Sequence, residues 1–219
     1  MPQGYKFVIA DDHPLFRGAL KQAIGGMADD GVVLEAGDFE AAKKIVAENE
    51  DLDLVLLDLS MPGASGLSGL ISLRGVHAEV PMVVVSAHDD PETIRRALEL
   101  GASGFISKSA SMEDIRKAVQ TVLDGGISAP GGIDLGVEQD PEISDLIRRL
   151  QSLTPQQTRV LGMLAEGLLN KQIAYELNVS EATIKAHVSA VLQKLGVDSR
   201  TQAVIQLSKI GSDAVQSPG

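Results

Sequence analysis

The first 125 residues alternate short apolar runs with amphipathic helical patterns. Between the runs, apolar side chains recur three and four positions apart, as they do at Ile94, Ala97 and Leu98. Strands that alternate with helices form crossover units, so this pattern predicts a doubly wound α/β domain with a five-stranded parallel sheet of the flavodoxin-like kind. The predicted strands are residues 6–10, 32–36, 54–57, 82–85 and 104–106.

The pattern changes after this domain. Residues 125–141, GGISAPGGIDLGVEQDP, are rich in glycine, contain two prolines and have little periodicity, which is typical of a linker that is flexible in part. A short helix is predicted at 142–150. We therefore divide the chain into a first domain at 1–125, a linker at 126–150 and a second domain at 151–219.

The second domain has a helical pattern throughout. Thr154, Pro155 and Gln157 have the spacing of a capping box, and Gly167 can end that first helix in the left-handed conformation. A helix, a short turn and a second helix form the helix-turn-helix of DNA readers, although a small helical dimerisation or docking domain has the same periodicity. The sequence thus predicts a small all-α domain. Its other helices are predicted at 171–177, 181–195 and 200–210.

Composition narrows the class of protein. A chain of 219 residues suits two domains, and 44% hydrophobic with 22% charged residues is ordinary for a soluble globular protein. No apolar run is long enough for a membrane helix, and no secretory signal is apparent at the N-terminus. The lack of cysteine excludes disulfides and thiolate metal sites. We expect a cytoplasmic protein with no membrane partner.

The net charge of −11 is unevenly distributed. Residues 1–130 carry −9, residues 131–150 carry −3 and residues 151–219 carry +1. An acidic chain is repelled by DNA, but here the predicted DNA reader is close to neutral. Charge alone therefore neither supports nor excludes DNA binding.

Polar residues suited to phosphoryl chemistry follow four of the five predicted strands. Each residue type is common in turns, but the carboxyl ends of parallel strands meet at one edge of the sheet, where ligands bind. Four strand ends with residues suited to one reaction therefore indicate a common site. The residues are Asp11 and Asp12 after the first strand, Asp58 after the third, Ser86 after the fourth and Lys108 after the fifth.

Together these residues can transfer a phosphoryl group to a carboxylate. Crowded carboxylates repel one another, and Mg²⁺ with oxygen ligands offsets that repulsion. Asp58 would be the nucleophile and form an acyl phosphate, Lys108 would neutralise charge on the phosphoryl oxygens, and Ser86 would donate its hydroxyl to one of them. Two nearby histidines, His13 and His88, are interpreted as surface or hydrogen-bonding residues rather than as metal or acid-base groups.

These residues lie in motifs that resemble response-regulator receiver domains. The resemblance covers residues 5–124 and implies that Asp58 is the phosphoacceptor, assisted by Lys108 and Ser86. Ser86 and Phe105 match the switch pair of the family, in which the hydroxyl moves toward the phosphoryl group and the aromatic ring turns inward; the alternative for Phe105 is a plain core role. The motifs are ADDHP at 10–14, LDLSMPG at 57–63, VSA at 85–87 and GASGFISK at 101–108.

The resemblance also implies a magnesium site. The side chains of Asp12 and Asp58 would ligate Mg²⁺, Asp11 would act nearby, often through water, and the backbone carbonyl of Ser60 would complete the site. Many receivers have proline after the lysine, whereas Ser109 stands there in this chain. The conformation of the bond between Lys108 and that serine is therefore open.

The third helix of the second domain has two contrasting faces. One face carries an apolar stripe, and the other carries short or basic residues that would not obstruct a DNA groove. Lys185 on that face can reach a phosphate or a guanine acceptor. The stripe is Ile184, Val188, Val191, Leu192 and Leu195, and the opposite face has Lys185, Ala186, Ser189 and Lys194.

Residues 150–210 resemble the LuxR-type helix-turn-helix domain, with LTP at 153–155, NKQIA at 170–174, TIKAHV at 183–188 and KLGV at 194–197. Ser189 stands where several relatives have a longer, often basic residue, so the operator sequence cannot be inferred. The resemblance implies DNA-backbone contacts for Lys171 and Lys194, base-facing positions for Lys185, Ala186 and Ser189, and places at the DNA surface for Thr183 and His187, the latter structural or phosphate-facing.

A receiver followed by this helical domain resembles the NarL/FixJ type of response regulator. It implies that a sensor histidine kinase phosphorylates Asp58, which controls homodimerisation and binding to a double-stranded DNA operator, with RNA polymerase as a further candidate partner. The receiver would assist its own phosphorylation without being an enzyme. The acidic receiver is expected to sit against the reader until phosphorylation releases or pairs the domains.

Three other functions fit parts of the sequence. An enzyme could use Asp58 and Mg²⁺ to hydrolyse phosphate esters, but Ser60 stands where a second acid is needed and no cap-like insertion is present. A regulator could keep the receiver as a structural domain, although the complete set of charged residues argues against it. A ligand-sensing quorum regulator would share the helical domain alone.

Overall fold

The computed structural model describes residues 4–25, 27, 31–64, 66–131 and 141–212. Its first half is a parallel sheet with strand order β2-β1-β3-β4-β5 and helices on both faces, as the alternating pattern predicts. The strands are β1 (Lys6–Ala10), β2 (Val32–Ala36), β3 (Leu54–Asp58), β4 (Met82–Ser86) and β5 (Gly104–Ser107). The helices are α1 (Pro14–Ile24), α2 (Phe39–Glu48), α3 (Leu67–Val76), α4 (Pro91–Glu99) and α5 (Met112–Leu123).

Three strands are one residue longer at the carboxyl end than the pattern predicts. Asp58 is the last residue of β3, Ser86 of β4 and Ser107 of β5. The ladder continues to these positions because Asp58 pairs with Val85 and Ser86 pairs with Ser107. The functional side chains thus start from sheet backbone, which holds them more rigidly than a loop.

The sheet is the core of the first half. β3 and β4 are buried at every position, and successive residues face opposite layers because a strand alternates. Leu54 and Leu56 pack in the cluster that includes residues of α1 and α5, whereas Val55 and Leu57 pack in the cluster that includes residues of α2, α3 and α4. A one-residue slip would exchange these layers, so burial fixes the register and aligns the strand ends.

The second half is helical, as predicted. Thr154 and Gln157 form the capping box, and Gly167 and Gly196 have φ of 86° and 67°, the left-handed conformation expected where helices end. None of the described helices is long and apolar enough to cross a membrane. The helices are α6 (Pro141–Gln151), α7 (Pro155–Ala165), α8 (Asn170–Glu176), α9 (Glu181–Leu195) and α10 (Arg200–Ser212).

The two halves pack together through α3 and α7. A Cβ atom at Gly75 would lie 2.7 Å from the backbone nitrogen of Arg159, and a Cβ atom at Gly162 would lie 2.8 Å from Oγ of Ser72. The helices can therefore approach this closely because both positions are glycine.

An ion pair and an apolar cluster reinforce this interface. Nζ of Lys43 lies 2.6 Å from both carboxylate oxygens of Glu166, and the two side chains are mostly buried. Buried side chains of both halves, such as Leu70 of α3 and Leu161 of α7, belong to one continuous cluster. The first half and the helical half therefore form one packed body.

The predicted linker is described in part. Residues 132–140 lie outside the described residues. In the described part, Ser128 forms an isolated parallel bridge with Gly104 at the outer edge of β5. The pattern did not predict this contact, because a single bridged residue has no periodicity to detect.

Candidate phosphoacceptor site and DNA-reading helix

The carboxyl ends of β1 and β3 bring acidic side chains together. One ligand atom from each of Asp11, Asp12, His13 and Asp58 lies within 4.8 Å of the others. Asp11 and Asp58 are buried, while the side chain of Asp12 is 27% exposed. Three of the residues that the sequence assigned to one site, Asp11, Asp12 and Asp58, therefore lie together, with Asp12 partly exposed.

Lys108 lies between the two buried carboxylates. Its Nζ is 2.8 Å from Oδ2 of Asp11 and 2.8 Å from Oδ2 of Asp58. Burial by itself lowers the pKa of Lys108, but the hydrogen bonds and charges of the two carboxylates outweigh it and raise the pKa above its ordinary value. The ammonium also lies 5.1 Å from the centroid of the Phe16 ring, within cation–π range. Lys108 is thus a fixed positive charge in the site.

Backbone groups orient the carboxylates. The N–H of Ser60 donates to Oδ1 of Asp58 at 3.1 Å, and the N–H of His13 donates to Oδ1 of Asp11 at 2.7 Å. Arg17 donates to the carbonyl of Asp11 at 2.6 Å. Asp58 therefore accepts hydrogen bonds from a loop N–H and from Lys108, while Asp11 accepts one from a loop N–H and forms an ion pair with Lys108. These contacts leave both carboxylates little freedom for rotation.

The donor set suits Mg²⁺. Three carboxylates face one ammonium, so the site carries an excess of negative charge that a hard divalent cation would offset. The open side at Asp12 would let such an ion keep water ligands. His13 belongs to the same group, with Nδ1 2.6 Å from Oδ1 of Asp12, although it was interpreted from the sequence as a surface or hydrogen-bonding residue. The role of the Ser60 carbonyl stays a prediction.

We expect the Asp12→Asn variant to bind Mg²⁺ at least about tenfold more weakly, which corresponds to about 1.4 kcal/mol. The substitution removes one of the three negative charges and keeps the size of the side chain. Isothermal titration calorimetry measures the effect, with Asp38→Asn as the control, because Asp38 caps α2 at an exposed position outside the cluster. Equal Mg²⁺ affinity of the Asp12 variant and the wild type would show that Asp12 is not a ligand.

The two predicted switch residues are buried. Ser86 is fully buried, and its Oγ accepts the N–H of His88 at 3.0 Å. The Phe105 side chain is 1% exposed, so its ring lies inward. No cis peptide bond occurs in the described residues, so the bond between Lys108 and Ser109 is trans.

Sequence reasoning missed one hydrogen-bonded chain beside Lys108. Oγ of Ser107 donates to Asp89 at 2.6 Å and lies 2.7 Å from Oγ of Ser109. These bonds join the loop after β4 to the loop after β5. The sequence does show a serine on each side of Lys108. The hydrogen bond of Ser107 to Asp89 could not be predicted, because it depends on how β4 and β5 align.

The reading helix α9 has the two predicted faces. Ile184, Val191 and Leu195 are buried, and Val188 and Leu192 are half-buried. On the opposite face Lys185, Ala186 and Ser189 are exposed. These three side chains are therefore exposed to solvent while the two halves are packed together.

The other predicted DNA contacts are in different environments. Lys171 is exposed on α8, whereas Lys194 is half-buried and donates to the carbonyl of Ser152 at 2.6 Å and to Oε1 of Gln157 at 2.8 Å. Lys194 would have to break these two hydrogen bonds in order to contact a DNA phosphate. The hydroxyl of Thr183 lies 2.8 Å from Oγ of Ser180 at the start of α9, and His187 is half-buried.

Comparison with protein families matches both halves of the chain. Residues 7–120 match the response regulator receiver domain, and residues 151–207 match the bacterial regulatory proteins of the luxR family. The chain is a NarL-type response regulator. The regulator is 41% identical over 212 residues to the glycerol metabolism activator of Pseudomonas putida, covering 94% of this chain and 96% of the relative. It is 35% identical to the nitrate/nitrite response regulator NarL of Escherichia coli K12, covering 90% and 92%.

The fold of the regulator agrees with solved response regulators. The structure of RcsB from Salmonella enterica serovar Typhimurium, bound to promoter P1flhDC with the phosphomimetic BeF3−, is similar with a TM-score of 0.55 and 25% identity, covering 95% of this chain and 100% of RcsB. These relatives are regulators rather than enzymes, so the phosphate-ester hydrolase is excluded. The receiver match also excludes the ligand-sensing quorum regulator.

Proposed function

We propose that a sensor histidine kinase phosphorylates the regulator on Asp58, and that phosphorylation controls homodimerisation and sequence-specific binding to double-stranded DNA. The observation that carries the proposal is the Lys108 ammonium held 2.8 Å from both Asp11 and Asp58. A receiver kept for structure alone gains little from buried charges, since apolar residues of similar volume are usually as stabilising. We infer a cytoplasmic protein with a receiver at 1–125, a linker at 126–150 and a DNA-binding domain at 151–219.

Asp58 acts as the nucleophile. One of its carboxylate oxygens forms a bond to phosphorus while the bond from phosphorus to the donor's histidine nitrogen breaks, and that nitrogen keeps the electron pair. Lys108 stabilises charge on the phosphoryl oxygens, and Ser86 donates its hydroxyl to one of them. Mg²⁺ bound by the carboxylates, with the Ser60 carbonyl, would supply further positive charge.

An apolar surface beside the site supports docking of the kinase. A cavity of about 480 Å³ opens next to Lys108 and is lined by Leu15, Phe16, Ala19 and Ala87, among others. The Leu15 side chain is 92% exposed. Exposed apolar residues around a charged site are typical of a protein interaction surface.

Intact-mass measurement with acetyl phosphate and Mg²⁺ tests the phosphoacceptor. The wild type should gain one labile phosphoryl group, and the Asp58→Asn variant should gain none, because an amide oxygen is a far weaker nucleophile than a carboxylate. Asp51→Asn is the control, since Asp51 is exposed and pairs with Lys6 before β3. An adduct that persists in Asp58→Asn would overturn the assignment.

The helical half supports binding to DNA as a homodimer. One copy carries a net charge of only +1 over residues 151–219, and affinity for DNA grows with the number of phosphates neutralised. Two copies double the contacts and read two half-sites. The solved RcsB relative is described as bound to a promoter. RNA polymerase is a further candidate partner of the DNA-bound dimer.

The Lys185→Ala variant is expected to bind a mapped operator about tenfold more weakly and with a shallower salt dependence. Lys185 is exposed on the reading face, where its competing partner is Glu181 at 3.1 Å. Fluorescence anisotropy at several salt concentrations measures both quantities. Lys209→Ala is the control, because Lys209 is exposed on α10, away from that face. Unchanged affinity and slope in Lys185→Ala would remove Lys185 from the interface.

The packing of the receiver against the DNA-binding domain is an arrangement that phosphorylation can change. The side chains of the reading face are exposed to solvent, and the receiver places its net charge of −9 next to the DNA-binding domain. Charges within about 10 Å repel DNA phosphates at moderate salt. Asp58 ends the strand that precedes α3, and α3 carries the interface with α7. Phosphorylation would therefore act on the helix that holds the receiver in place.

A further inference from the structure

The segment that leaves the receiver is hydrogen-bonded to the proposed switch residue. β5 is the edge strand of the sheet, and its outer side faces Ser128. The N–H of Phe105 donates to the carbonyl of Ser128 at 2.8 Å, and the N–H of Ser128 donates to the carbonyl of Ser103 at 3.1 Å. The backbone of the switch residue is thus joined directly to the chain that leads to the DNA-binding domain.

Local sequence brings the segment to this edge. Gly125 has φ of 83°, its N–H donates to Val122, and the N–H of Gly126 donates to Thr121, which is the left-handed ending of a helix. The chain therefore turns back from α5 toward β5. A Cβ atom at Gly104 would lie 3.0 Å from the Ser128 carbonyl oxygen, so glycine in β5 leaves room for this close approach.

The contact is short and weakly anchored. Two residues after Ser128, Pro130 has no N–H with which to continue the ladder along β5. The Ile127 side chain is 70% exposed and adds little packing. A groove of about 670 Å³, lined by Phe105, Thr121, Ile127 and Pro130 among others, leaves room for the segment to move. The two backbone hydrogen bonds therefore carry most of the attachment.

We propose that these two hydrogen bonds form a tether, defined here as residues 127–129 on the edge of β5, which phosphorylation releases. The proposal rests on the proposed function, in which Ser86 and Phe105 respond to the phosphoryl group. Any shift of β5 at Phe105 lengthens or breaks the bond to Ser128, since the same residue carries both the switch side chain and the donor N–H. Release frees residues 127–129 from the edge of β5 and lets the DNA-binding domain move away from the receiver.

Hydrogen exchange of the Ser128 amide in the full-length protein tests the tether. With acetyl phosphate and Mg²⁺, the amide should exchange at least about tenfold faster than in the unphosphorylated protein. Intact mass of the same sample reports the adduct on Asp58. An adduct with unchanged exchange would overturn the tether and leave the proposed function standing, whereas a missing adduct would overturn the proposed function itself.

Two variants should release the tether without a phosphoryl donor. Gly104→Ala places a methyl group against the Ser128 carbonyl, and Ser128→Pro removes the donor N–H without altering β5. Both should expose the segment to limited proteolysis several-fold faster than the wild type. Gly131→Ala is the matched control, because a Cβ there meets nothing within 4 Å. Wild-type protection in Ser128→Pro would disprove the tether, and so would cleavage of Gly131→Ala as fast as that of Ser128→Pro.

Discussion

The Lys108→Met variant is expected to lose about 2 kcal/mol of the free energy of unfolding and to be phosphorylated far more slowly on Asp58. Asp11 and Asp58 are buried and share this one ammonium, so the substitution leaves two buried carboxylates without their counter-charge. The same charge is missing when the phosphoryl group is transferred. Urea unfolding measures the first effect, and the time course of the intact-mass adduct measures the second.

Magnesium distinguishes this explanation from a loss of packing. Millimolar Mg²⁺ should restore part of the stability of Lys108→Met, because the ion replaces the lost positive charge. Lys117→Met is the control, since Lys117 is exposed on α5. If the loss of stability in Lys108→Met did not change with Mg²⁺, the charge explanation would be wrong.

The Gly75→Ala variant is expected to separate the receiver from the DNA-binding domain while both stay folded. The new Cβ would lie 2.7 Å from the backbone nitrogen and 2.9 Å from Cα of Arg159 on α7, and backbone atoms in a helix cannot move aside alone. Small-angle X-ray scattering should give a radius of gyration above the roughly 17 Å expected for a compact chain of this length. Unphosphorylated Gly75→Ala should also bind DNA several-fold more tightly at low salt, because the acidic receiver is no longer held nearby.

The direction of the stability change makes this test decisive. Alanine in place of glycine inside a helix is stabilising by about 0.5–1 kcal/mol when no contact is disturbed. Gly18→Ala in α1, where a Cβ meets nothing within 4 Å, should show that gain. If Gly75→Ala behaved like Gly18→Ala, with the compact radius retained, the interface would not depend on this glycine.

Much of the candidate site could be predicted because its parts are local. Asp11, Asp58 and Lys108 each follow a recognisable apolar run, and parallel strands necessarily bring their carboxyl ends to one edge. The pairing of the charged side chains within the site could not be predicted. Lys108 contacts both buried carboxylates, and Asp12 pairs with His13 at the more exposed side. Both arrangements depend on side-chain packing across three loops.

Residues away from the site also divide into those whose role the sequence predicts and those whose role only the structure shows. The capping box at Thr154 and Gln157 and the left-handed Gly196 were predictable because caps are formed by neighbours in sequence. The roles of Gly75 and Gly104 could not be predicted in this way. A glycine inside a helix or strand is expected only to destabilise that element, until the backbone that packs against it is known.

The sequence by itself therefore determined the two folds and their order, and it named the residues of the candidate phosphoryl site and of α9, because periodicity, caps and strand-end motifs are local properties. The tertiary structure alone decided how the halves meet. The packing of α3 on α7, the pair of Lys43 with Glu166 and the bridge of Ser128 to β5 join residues far apart in the chain. Each depends on shape and close approach, which the order of hydrophobic and polar residues does not encode.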